Sequence, residues 1–381
     1  MNDSDLVSLI PNAAFAFRGY NVENLGRTRE LLKHPDYGPI VHKQLRISSE
    51  ICSEFVSRHV DLVTRVEEQR EPTLEEYDEA IAMVLSVERA QLHCLRELFD
   101  VDITKSRLCM GYSLGEIAAL TECGIVSHAG AMSIPLQLAT GCVELAHDMK
   151  LGVLFSREGS LKIDEVKHLC QQINQPAAGV IGISTILSPN SILLMGQGDT
   201  VRQFKKRSKT ELSTSAYVRI NRHRWPPLHT PIVWEKSIPN RAAVLLHSVD
   251  VKFALPTPPV LSMVTGTFAY EPHNVREILH RWVDHPQLLW DVVVEVLSLG
   301  LATIIHVGPK PNIIPATFRR LSENVQLQTR GKLHMRALGR MARRPWLNAL
   351  LPQKAALLRA PFVKHIVLED WLLEAKPASK S

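Results

Sequence analysis

The chain has 381 residues, of which 45% are hydrophobic and 22% charged. This is ordinary globular usage, and it excludes disordered, collagenous and disulfide-scaffold classes. The formal charge is +5, but residues 331–381 hold ten Lys/Arg against three Asp/Glu. The rest is therefore close to neutral, which argues against a nucleic-acid-binding protein.

The six cysteines are scattered without a C-x-x-C pair, and no Cys/His run has structural-zinc spacing. The acidic start Met1-Asn2-Asp3-Ser4-Asp5 lacks a signal peptide's basic region. No apolar run approaches the length of about 18–20 residues that spans a bilayer. The expectation is a soluble, cytoplasmic protein.

In chain order, Ala13-Ala14-Phe15-Ala16-Phe17 reads as a buried strand that enters a tight turn at Arg18-Gly19. Residues 40–70 and 73–100 carry apolar positions at helical spacing, with a helix-start signal at Pro72, Thr73 and Glu76. Arg107 to Met110 is a short strand, Gly111 to Glu116 a turn, and a helix runs on to Gly124. Residues 129–150 read as a further helix. From 152 to 222 the pattern is strand, helix, strand, strand, helix, strand, the order of a ferredoxin-like unit. We read it as an insertion into a larger α/β fold made of 1–151 and 223–330. That fold resumes with helices over 231–247, 274–282, 288–299 and 313–322 and strands at 260–264 and 302–307. Residues 331–381 form a basic extension. In it Arg340, Arg343, Arg344, Trp346, Leu350 and Leu351 give an amphipathic pattern, suited to packing on the core or to an acidic or membrane surface.

Gly111-x-Ser113-x-Gly115 between a strand and a helix is the pattern of a nucleophile elbow. The sharp turn needs small neighbours, and it sets the serine above a helix N-terminus, where the Leu114 amide can donate to an oxyanion. The same pattern also fits an ordinary glycine-rich turn with a solvated serine. A nucleophilic serine needs a base, and sixteen histidines compete. His229 stands out in Pro226-Pro227-Leu228-His229-Thr230-Pro231, where prolines stiffen the backbone.

Together these segments resemble the malonyl-CoA:acyl-carrier-protein transacylases and the acyltransferase domains of polyketide synthases, over about residues 13–325. Gly111-Tyr112-Ser113-Leu114-Gly115-Glu116 is similar to the family's G-H-S-x-G-E, and Leu228-His229-Thr230-Pro231 to its F-H-S-P. His306-Val307-Gly308-Pro309 is similar to E-V-G-P, and Phe15-Ala16-Phe17-Arg18-Gly19 to the start of F-x-F-P-G-Q-G. The resemblance implies an α/β-hydrolase-like core with a parallel sheet and an inserted ferredoxin-like subdomain. It implies Ser113 as acyl-carrying nucleophile, His229 as base, the amides of Leu114 and Tyr20 as oxyanion donors, and backbone carbonyls within 286–290 as the support of the histidine.

Three departures bear on substrate. Tyr112 replaces a histidine and Tyr20 a glutamine. The family's arginine for a malonyl carboxylate falls on Leu138 by a gapless count from Ser113, and no Lys or Arg occurs from Ala129 to His147. Acyl transfer is therefore carried over with a neutral acyl group preferred. No bound cofactor or metal is implied. The substrate is a coenzyme A thioester, and the acceptor is the phosphopantetheine of an acyl carrier protein. Arg222, with Arg219, Arg224 and Lys205-Lys206-Arg207, suits the phosphates of coenzyme A or an acidic carrier, and equally the solvated face of a small subdomain. The rivals are a serine hydrolase or thioesterase, and a catalytically silent, carrier-binding homologue.

Overall fold

The structure, a computed structural model, describes residues 3–175, 179–329 and 353–377. Five parallel strands form the main sheet: β1 (Ala13–Phe17), β2 (Leu108–Gly111), β7 (Val260–Leu261), β8 (Thr303–Val307) and β9 (Lys364–Val367), in the order β7-β2-β1-β8-β9. Strands buried on both faces read as continuous apolar runs, as Ala13–Phe17 does. Ala13, Phe15 and Phe17 pack with Cys109, Ile305 and Val307 on one side. Ala14 and Ala16 pack with Leu108, Met110 and Ile304 on the other.

On the first side lie the long helices Gly38–Val56, Tyr77–Phe99 and His128–Ala146, joined in one core. The helices Leu289–Ser298 and Ile313–Thr329 cover the second side. Proline at the second position of Gly38–Val56 and a Ser127 side chain accepting from the Gly130 amide account for two of the helix starts. No helix among the described residues is long and apolar enough to cross a membrane.

Between Met149 and Ile220 the chain forms a second, antiparallel sheet. It contains β3 (Met149–Phe155), β4 (Ile181–Ser188), β5 (Ser191–Gln197) and β6 (Tyr217–Ile220), in the order β4-β5-β3-β6. With the helices Ile163–Asn174 and Thr200–Glu211 as crossovers, this is the expected ferredoxin-like order. Side-chain alternation divides its faces. Leu154, Ile192, Leu194 and Val218 pack under the two helices with Val166, Leu169 and Phe204. Leu151, Val153, Phe155, Leu193 and Met195 point the other way, over the main domain.

One reading of the C-terminal part needs correction. The basic extension is not wholly separate, because Lys364–Val367 is the fifth strand of the main sheet and pairs with β8. The helix Leu368–Glu374 then returns to the core, where the Tyr37 hydroxyl donates to the Leu372 carbonyl at 2.7 Å. Four residues without clear alternation give little strand signal; pairing to a distant strand creates this one. The amphipathic stretch around Arg340, Arg343, Arg344, Trp346 and Leu350 lies outside the described residues.

Candidate active site

β2 ends at Gly111, and the helix Leu114–Glu122 begins three residues later. The turn is possible because two glycines meet. A Cβ on Gly111 would lie 2.0 Å from the Gly115 carbonyl group, and one on Gly115 would lie 2.4 Å from the Phe17 oxygen. Ser113 sits at the apex with φ 55° and ψ −118°, a conformation non-glycine residues adopt only under constraint. Its backbone is locked on both sides. The Ser113 amide donates to Gln287 Oε1 at 3.0 Å, and the Trp282 indole donates to the Ser113 carbonyl at 2.9 Å.

His229, also at positive φ, places Nε2 2.8 Å from Ser113 Oγ. Its Nδ1 donates to the Trp282 carbonyl at 2.6 Å, and its backbone amide donates to the Val283 carbonyl at 2.8 Å. Both carbonyls belong to the last turn of the helix Val275–Asp284. Such carbonyls have no partner within their own helix and are free to accept. This corrects the expected support: the carbonyl that holds the histidine is that of Trp282, not one within 286–290. With the proton on Nδ1 committed, Nε2 is left as acceptor for the serine hydroxyl.

Burial pulls the His229 imidazole down to about 4, against the Trp282 carbonyl, which favours the protonated form. The ring is therefore neutral at ordinary pH. Ser113 lies above a helix N-terminus and His229 against a helix C-terminus, so the two dipoles favour an anion near the serine and a cation on the imidazole.

Gln287 was not singled out from sequence. It is fully buried and reaches both members of the pair, its Nε2 lying 3.3 Å from His229 Nδ1. Its amide is oriented by the Ser113 N–H, which needs an acceptor. Glu116 is also fully buried, taking the Met263 amide at 3.0 Å and the Tyr270 hydroxyl at 2.7 Å. Burial raises its carboxyl to about 7, and the hydrogen bonds oppose that rise. It braces the elbow helix against the loop that follows β7.

The sequence candidates separate into those at the cavity and those away from it. A cavity of about 690 Å³ over the dyad is lined by Tyr20, Tyr112, Ser113 and His229. Tyr20 arrives because Gly19 presses against the elbow, where a Cβ would lie 2.6 Å from the Tyr112 carbonyl oxygen. The Tyr112 hydroxyl shares a 2.7 Å hydrogen bond with Thr185 Oγ1 of β4. Leu114 opens the elbow helix, where the first amides have no partner within the helix.

Leu138 is not at this cavity. It is buried in the helix His128–Ala146 and borders a separate depression with Phe55, Leu136 and Arg241. Counting from Ser113 fixed its number but not the face of the helix on which it sits. Arg222 is exposed beyond the end of β6 and does not line the cavity, whereas Arg219, which pairs with Val153 in the sheet, does. Arg207 is engaged by Glu211, at 2.6 Å, on the outer helix. No group of three or more His, Cys, Asp or Glu able to hold a metal lies among the described residues.

The fold is that of the malonyl-transacylases. Solved structures that share it include FabD from Acinetobacter baumannii, with TM-score 0.64 at 19% identity over 81% of this chain and 91% of that one. An acyl-carrier-protein S-malonyltransferase from Bartonella henselae matches with TM-score 0.62 at 15% identity, covering 95% of this chain and 97% of that one. A malonyl-transacylase in complex with its type II polyketide synthase acyl-carrier protein matches with TM-score 0.60 at 18% identity, covering 81% and 92%. No family model matches the sequence, and no curated protein matches it. The motif resemblance and the fold comparison thus agree although overall identity is low.

Proposed function

We propose that this protein transfers an acyl group from a coenzyme A thioester to the phosphopantetheine thiol of an acyl carrier protein, through an acyl-serine, in fatty acid or polyketide synthesis. The observation that carries the reading is the 2.8 Å contact of Ser113 Oγ with His229 Nε2, with Nδ1 held by the Trp282 carbonyl.

Ser113 Oγ attacks the thioester carbonyl while its proton passes to His229 Nε2. The oxyanion that forms is met by the amides of Leu114 and Tyr20, backed by the helix Leu114–Glu122. The Trp282 carbonyl and the helix end behind it support the imidazolium. When the C–S bond breaks, the leaving thiolate takes the proton from Nε2, which leaves an ester on Ser113. The phosphopantetheine thiol then repeats the sequence in reverse, giving its proton to His229 and accepting the acyl group. No acidic third residue enters; a helix-end carbonyl has that place. Arg219 and Arg320, both exposed cavity-lining residues, suit the phosphates of coenzyme A or of the prosthetic arm. The six buried free thiols support a reducing compartment such as the cytoplasm.

Intact-mass measurement after incubation with a panel of acyl-CoAs tests the reading, followed by addition of a holo carrier protein. An adduct of acyl mass that disappears as the carrier gains it is the expected result. Absence of an adduct, with release of free acid, would make the protein a hydrolase.

A further inference from the structure

Among the described residues that line the cavity over Ser113, the Lys and Arg side chains are Arg219 and Arg320 alone. Among its lining residues just Arg219, Asn312 and Arg320 are exposed, and they mark the mouth. The wall from the antiparallel sheet is apolar, with Leu151, Val153, Phe155, Leu193 and Met195. The far wall is aromatic: Tyr20 meets Tyr77 edge-on at a ring separation of 4.8 Å and Trp225 at 5.9 Å. Tyr77 is only 2% exposed, and Leu228 only 3%. His229, the remaining base in the lining, is neutral because it is buried. Burial first, and then the carboxylates of Glu71 and Glu75, raise the Tyr20 hydroxyl to about 12, with Arg18 opposing. An additional anion would meet the same field.

We propose that the acyl group taken onto Ser113 is neutral, without a free carboxylate, and lodges against Tyr20, Tyr77, Trp225 and Leu228 while the thioester arm leaves past Arg219 and Arg320. The proposal rests on the acyl-transfer reading above and adds the substrate class. It replaces Leu138 as the ground for that preference by residues that line the cavity. A neutral acyl terminus gains from burial against these rings and loses no solvation of charge. A carboxylate carried inward leaves water and meets, among the described lining residues, no Lys or Arg other than Arg219 and Arg320, a disadvantage expected to reach about a hundredfold in loading.

The test is a competition between malonyl-CoA and neutral acyl-CoAs (acetyl, isobutyryl and benzoyl) at equal concentration, read as adduct mass on the full chain at early times. Neutral adducts in excess of about tenfold are expected. Trp225→Arg, which sets a guanidinium at the aromatic end, should shift the ratio toward malonyl by about tenfold or more. Arg219→Ala should weaken coenzyme A binding and leave the ratio in place. A malonyl adduct that dominates in the unmodified protein overturns the proposal while leaving acyl transfer standing. Loss of such a malonyl preference in Arg219→Ala would identify the mouth arginine as the clamp. If Ser113 takes no acyl group from any donor, the acyl-transfer reading falls and the proposal with it.

Discussion

The two sheets of this molecule do different work. The parallel sheet is buried on both faces and delivers the elbow from the end of β2, where Ser113 is held by Gln287 and Trp282. The antiparallel sheet is packed by helices on one face only, and its other face lines the cavity with Leu151, Val153, Leu193 and Met195. On the acyl-transfer reading proposed above, the first contributes the nucleophile and the second contributes surface. Substitutions behind the elbow should therefore change the rate of the chemical step. Substitutions on the open face should change affinity and selectivity.

The comparison breaks most sharply at Ser113. Ser113→Ala should abolish acyl loading; an adduct retained by that variant, seen by intact mass, would move the nucleophile elsewhere. His229→Ala should slow loading by about 10²–10⁴-fold, the range for a positioned base, measured by stopped-flow release of coenzyme A. Gln287→Ala should lower kcat by about 10–100-fold with KM nearly unchanged, because a displaced dyad loses alignment rather than binding.

The pH profile sharpens the comparison further. On the proposed mechanism neutral His229 is the active form, and burial lowers its pKa to about 4. Loading should stay level as pH falls from 8 to 5 and drop only as it approaches 4. A limb near the ordinary histidine value of about 6.5 would mean that the ring is solvated in the working enzyme. The smallest effect is expected on the open sheet face. Leu193→Ala should raise KM for acyl-CoA a few-fold at constant kcat, since it removes apolar contact alone.

How legible the site was depends on how far apart its parts lie in the chain. Gly111-x-Ser113-x-Gly115 is local, because the turn that exposes the serine also dictates its neighbours. The order of elements from Met149 to Ile220 is local too, and gives the ferredoxin-like unit its topology. The proline-rich setting of His229 hardly separates it from the other histidines; the likeness of Leu228-His229-Thr230-Pro231 to the family's F-H-S-P does. Trp282 was not legible, and Gln287 entered only within the stretch 286–290 expected to supply carbonyls, since nothing in the sequence signals that these two side chains will touch Ser113, more than fifty positions away. Arg219 was one of several basic residues until strand pairing placed it opposite Val153, on the cavity side. Leu138 failed for the opposite reason: its number was inferred, but helix rotation decides which side chain reaches the site. β9 could not be read because four residues become a strand only beside β8.

Gln287 has one further consequence. Its backbone amide donates to the Ser184 carbonyl, and its own carbonyl accepts from the Ile186 amide, both at 2.9 Å, so it is riveted to β4. Its side chain meanwhile touches both members of the dyad. A displacement of β4 relative to the main sheet would therefore be felt at Ser113 and His229 through this one residue, so the lining of the cavity and the alignment of the pair are set together.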